Sequence, residues 1–98
     1  MGKVLIATYY KTENDMIIEE NGYDDDFDMA YQGIKFDDRA NNFKGSMVNL
    51  LKLILLLTET LNSLDEDQVL LSHTIKYLWI VYCELQSIDW NYVHISVG

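Results

Sequence analysis

Residues 46–87, SMVNLLKLILLLTETLNSLDEDQVLLSHTIKYLWIVYCELQS, decide how this chain must fold. Met47, Leu50, Leu51, Ile54, Leu57 and Leu61 recur at helical spacing, and Ser46 ahead of them is a good N-cap residue. The spacing predicts a helix from Ser46 to about Ser63. Asn49, Lys52, Glu59 and Asn62 form its polar stripe, but Leu53 and Leu56 intrude on that stripe. A helix apolar almost all round must be covered on more than one side, by a sheet and by either a second helix or another subunit. Leu53 and Leu56 are therefore candidates for a homodimer seam.

Asp65-Glu66-Asp67-Gln68 has the form of a capping box, with an N-cap acid and a glutamine at N3, and its carboxylates suit a helix N-terminus. A second helix is expected over about Glu66–Ser87, joined to the first by a very short turn. Tyr77-Leu78-Trp79-Ile80-Val81-Tyr82 also has strand composition, so a short helix followed by a strand fits the same residues.

Outward from this hairpin the periodicity changes from helical to alternating. Lys3–Lys11 reads as a strand with Val4, Ile6, Thr8 and Tyr10 on one face and Leu5, Ala7 and Tyr9 on the other. With both faces apolar it belongs in the middle of a sheet. Thr12-Glu13-Asn14-Asp15 has turn chemistry, and Met16–Glu20 reads as a second strand. Asn21-Gly22 is the strongest local turn signal because both residues accept positive φ. Asp24–Asp26 extend that loop, and Phe27–Phe36 read as a third strand. Asp37–Gly45 is a polar connection. Trp90–Val97 alternates and reads as a last strand, with Val93, Ile95 and Val97 on one face. The expectation is an α+β domain spanning 1–98. It comprises an N-terminal three-stranded antiparallel meander, a two-helix hairpin packed on the sheet, and a C-terminal strand.

At 98 residues and 49% hydrophobic content the chain is long and apolar enough for one two-layer core. One cysteine allows no intramolecular disulfide, which fits a reducing, cytoplasmic setting. The apolar run near the N-terminus is too short for a signal-peptide core, and Leu53–Leu57 is far short of the ~20 residues of a spanning helix.

Charge is unevenly distributed. The net charge is −9, and residues 13–38 hold ten acids (Glu13, Asp15, Glu19, Glu20, Asp24, Asp25, Asp26, Asp28, Asp37 and Asp38) against one base, Lys35. That segment therefore carries the whole excess, and the remaining residues balance six acids with six bases. Such a segment argues against direct binding of nucleic acid or anionic membranes and favours a basic protein partner or simple solubility.

Catalytic and metal chemistry find little support in the residue types. A calcium loop opening at Asp24 needs glycine at its sixth position and glutamate at its twelfth, where Met29 and Lys35 stand. Cys83 lies in an apolar run, where a thiol is ordinarily an inert core residue. His73, ten residues upstream, is not at one-turn spacing from it. His94 alternates with apolar neighbours in the last strand. No Gly-x-Ser-x-Gly, phosphate loop or paired metal-ligand spacing occurs, so no cofactor is expected. Tyrosines beside carboxylates, by contrast, make good protein-binding anchors, and Tyr23 and Phe27 flank the turn and should be exposed.

The candidate partner-binding residues are Glu19, Glu20, Tyr23, Asp24, Asp25, Asp26, Phe27 and Asp28. Carboxylates on alternate strand residues stand ~7 Å apart, close to the phosphate repeat of a nucleic-acid strand, so phosphate-binding arginines can accept them bidentately. In size, acidity and lack of cofactor motifs the chain resembles the small phage-encoded inhibitors of bacterial defence, the anti-CRISPR and anti-restriction proteins. The resemblance is one of general character, and no shared motif transfers any residue's role. It implies a non-enzymatic inhibitor in the host cytoplasm that blocks the nucleic-acid recognition surface of a basic nuclease or effector complex.

Immunity proteins that neutralise toxin nucleases have the same physical profile. The strand and helix order also suggests a reduced ribonuclease-H-like domain. That family needs acids where Tyr10, Ser46 and His73 stand here, so a catalytic version is disfavoured.

Overall fold

The computed structural model describes residues 5–18, 22–26, 36–63 and 67–97. Its elements are β1 (Leu5–Tyr10), α1 (Glu13–Ile18), β2 (Tyr23–Asp26), β3 (Lys44–Ser46), α2 (Met47–Leu61), α3 (Gln68–Ile88) and β4 (Tyr92–Val97). The α+β class holds. The strands form one sheet in the order β2-β1-β4-β3, every pair antiparallel.

This order is not a meander. β4, the last strand in the chain, inserts between β1 and β3, with Ala7 opposite Ile95 and Tyr9 opposite Val93. β1 is central, as its two-sided apolar pattern requires. Leu5, Ala7 and Tyr9 join Val93 and Ile95 in the core, where they meet Leu50, Ile54 and Leu57 of α2 and Leu71, Tyr77, Leu78, Val81 and Leu85 of α3. Val97, expected on that face, is largely exposed at the strand end. With α2 and α3 on one sheet face, the chain thus closes a two-layer core.

Both long helices start at side-chain caps. Ser46 Oγ accepts the Asn49 N–H, and Asp67 Oδ1 accepts the Leu70 N–H, each replacing a bond the first turn lacks. The cap of α3 is Asp67 and not Asp65, because the helix opens at Gln68. Residues 74–85 are helical throughout, which excludes the helix-then-strand alternative. Tyr77, Leu78 and Val81 bury on the inward stripe at 3.6-residue spacing, so helical periodicity outweighs their strand propensity. α3 ends in a Schellman motif. Asp89 adopts the left-handed conformation (φ 59°), and the Trp90 N–H reaches the Leu85 carbonyl.

Several expectations along the first half need correction. Thr12–Asp15 begins a helix, because Thr12 Oγ1 accepts the Asp15 N–H and the Thr12 carbonyl accepts the Met16 N–H. Met16–Ile18 are consequently the end of α1 and not a strand, with Met16 buried. Asp24–Asp26 are not loop but strand, paired in register with Thr8, Ala7 and Ile6. Of the expected third strand only Phe36 lies among the described residues, and it packs into the core without strand geometry. The connection 37–45 in turn supplies β3, whose three residues pair with Tyr92–His94.

Candidate functional site

The acidic run Tyr23–Asp26 is the outermost strand of the sheet among the described residues. Its position follows from Gly22. A Cβ there would stand 2.6 Å from Thr8 Cγ2 and 3.0 Å from Tyr10 Cε1, so only glycine lets the chain turn this close to β1. The backbone angle of Gly22 lies outside the left-handed region, and close approach is therefore the reason for glycine, in place of the positive φ that the Asn-Gly pair suggests.

Tyr23 is the partner-binding candidate whose side chain the structure fixes. Its ring stacks on the buried Tyr9 ring, with centroids 5.8 Å apart and planes 16° off parallel. Trp90 meets it edge-on at 6.3 Å. Held on two sides, Tyr23 nevertheless remains 44% exposed. It is a rigid half-open aromatic at the start of the acidic strand. Asp24, Asp25 and Asp26 follow it in register along β1. Glu19, Glu20, Phe27 and Asp28 lie outside the described residues.

Not every acid of the segment is available to a partner. Asp37 is buried, and its carboxylate is occupied by Arg39. The Arg39 backbone N–H donates to Oδ1 at 2.9 Å, while Nε and Nη2 donate to Oδ1 and Oδ2 at 2.8 Å each. The Arg39 side chain holds the Asp37 pKa below its ordinary value of 3.8, against the opposing effect of burial. The Asp37 N–H donates to Thr74 Oγ1 at 2.9 Å, and Thr74 in turn donates to the Leu70 carbonyl. Asp37 thus pins the connection 36–43 onto α3. Counting on to Arg39 reduces the segment's charge from −9 to −8 (ten acids, two bases).

The residues with catalytic potential are not assembled. Cys83 is exposed on the outward side of α3, contrary to the expectation of a core thiol. It lies in an apolar run, but at the helical angle opposite to the buried stripe. His73 precedes it by ten residues, ~15 Å along a helix. His94 alternates with the core-facing Val93 and Ile95, so it belongs to the sheet face turned away from α2 and α3. Among the described residues no three His, Cys, Asp or Glu side chains come together as metal ligands, and no helix is long and apolar enough to cross a membrane. A shallow cleft beside α1 is lined by Glu13, Lys44, Ser46 and Asn49, and Ser46 there already serves as the α2 cap. Where the ribonuclease-H-like reading needs acids, Tyr10 is a buried β1 residue, Ser46 the cap and His73 a half-buried residue of α3.

The proposed α2 seam divides. Leu53 is half-buried against the core, whereas Leu56 is 48% exposed.

No protein-family model matches this chain, and no curated protein or solved structure matches it either.

Proposed function

We propose that this protein is a non-enzymatic inhibitor that binds a basic, nucleic-acid-binding protein through the acidic strand β2 and blocks that partner's nucleic-acid site. One observation carries the reading: three consecutive aspartates occupy the outer strand of the described sheet, directly after a half-exposed tyrosine locked between Tyr9 and Trp90. Edge strands with charged residues commonly serve only to prevent sheet-to-sheet aggregation. Two features favour a binding role. A single charge suffices to blunt an edge, yet Asp24, Asp25 and Asp26 are all acidic. A pre-ordered aromatic beside the charges also loses little entropy on contact.

Carboxylates at alternate positions, ~7 Å apart, match guanidinium groups placed to hold successive phosphates. The like-signed field of the segment speeds encounter with a basic surface. The inhibitor class named by general resemblance, directed at bacterial defence nucleases, fits this chemistry.

The test is capture from a bacterial host lysate with the wild-type chain and with an Asp24→Lys/Asp25→Lys/Asp26→Lys variant. A basic nucleic-acid-binding protein should be retained by the wild type alone and released by added salt or by duplex nucleic acid. Capture that survives the triple reversal refutes the reading.

A further inference from the structure

The inward face of α3 is fully committed to the core, but its outward face is not that of a solvated helix. Two adjacent ridges at i±4 spacing stay open to solvent, Ser72-Lys76-Ile80-Glu84 and, beside it, the ridge containing Trp79 and Cys83. Together they line a shallow, largely apolar groove at the middle of a 21-residue helix. Trp79 is 41% and Ile80 36% exposed there, although the polar face of such a helix normally carries charge. Ridges and grooves of this kind are the elements by which one helix packs on another.

We propose that this face is a homodimer seam, in which α3 packs antiparallel on α3 of a second copy about a two-fold axis at Ile80. An isologous contact maps residue 80−n of one chain onto residue 80+n of the other. Lys76 and Glu84 stand on the same ridge, each four residues from Ile80. The operation that sets Ile80 on its twin therefore places each Lys76 beside the partner's Glu84, and does so twice. Neither side chain has an ion pair within the described part of its own chain.

The charge pattern selects a second copy over other occupants. The groove is electrically balanced, with one base and one acid, in a chain whose net charge is −9. A basic partner gains nothing from it, while a copy of the same face is complementary to it. The sheet and its acidic edge strand lie on the opposite side of α3, so this pairing keeps the two like-charged segments apart. The seam is independent of the inhibitory role, which rests on β2.

Sedimentation equilibrium of the full chain tests the proposal. The wild type should reach twice the chain mass as concentration rises. Lys76→Glu and Glu84→Lys should each weaken the dimer by roughly tenfold, since each turns two attractive contacts into repulsive ones. The double reversal Lys76→Glu/Glu84→Lys should restore it to within about threefold of wild type, the two groups having exchanged roles. Ile80→Asp should leave a monomer with an unchanged circular dichroism spectrum.

Cross-linking fixes the register. With helix axes ~8–10 Å apart and Cα radii of ~2.3 Å, facing Cα atoms at the axis lie about 3.5–5.5 Å apart, near disulfide range. Ile80→Cys in a Cys83→Ser background should therefore oxidise to a dimer. The native Cys83 pair, displaced by about 9 Å along the axis, should not. A wild-type monomer at every concentration overturns the proposal. So does a dimer indifferent to both single reversals, or one broken by Leu56→Asp and not by Ile80→Asp.

Discussion

Replacing Asp37 by asparagine removes the charge that holds Arg39 in an ion pair. The carboxylate accepts three N–H groups of Arg39 at 2.8–2.9 Å, two of them on Oδ1. Asparagine keeps an acceptor at Oδ1 but presents an NH2 group to Arg39 Nη2, so one hydrogen bond becomes a donor–donor contact and the charge is lost. Hydrogen bonds to charged groups contribute about 1.5–3 kcal/mol. The Arg39 side chain is 39% exposed and can turn to water, which places the loss at the low end, ~1.5 kcal/mol. For a domain of this size that lowers Tm by about 6–12 °C.

The pH dependence distinguishes charge from packing. Asp37 is depressed below its ordinary pKa of 3.8 in the folded protein, so its contribution is complete above the unfolded-state value and disappears as pH falls through the lower folded-state value. Urea unfolding of wild type and Asp37→Asn should show the full gap at neutral pH, a narrowing gap below about pH 3.8, and convergence at still lower pH. A gap that persists unchanged into strong acid refutes the electrostatic account. A gap under about 0.5 kcal/mol at neutral pH refutes the structural importance of the pair.

Thr74→Val removes the hydroxyl that accepts the buried Asp37 N–H and leaves that donor unpaired, so it should cost about 1–3 kcal/mol in urea unfolding, while Thr74→Ser costs much less. Asp89→Gly should stabilise the chain by about 0.5–1 kcal/mol, because glycine holds the left-handed C-terminal position of α3 without a Cβ penalty; a fall in Tm contradicts this. Strengthening the buffer should weaken partner capture through Asp24–Asp26 far more than it weakens an apolar contact, and salt-insensitive capture places the binding elsewhere.

The two long helices were legible because their causes are local. The Ser46 cap, the 3.6-residue stripe through Leu50, Ile54 and Leu57, and the acid cap of α3 all act within a few residues of one another. The same locality should have revealed α1. Thr12-x-x-Asp15 carries the cap that the structure uses, but the apolar run Met16-Ile17-Ile18 that follows has strand composition. β3 has no local signature at all. Lys44-Gly45-Ser46 is a strand only because β4 offers it partners. Arg39 shows the same effect for charge, since it stands one residue beyond the acidic segment and neutralises Asp37 within it.

The sequence by itself determined the class of fold, the central place of β1, the two helices and the segment that carries the negative charge. Periodicity and composition act over a turn or a pleat, and both survive any change of context. Only the tertiary structure decided that β4 lies beside β1, that three aspartates lie in the outermost of the described strands on the other side of β1, and that Trp79, Ile80 and Cys83 face water. Strand neighbours and helix rotation depend on which distant surfaces meet, and no short window of residues contains both of them.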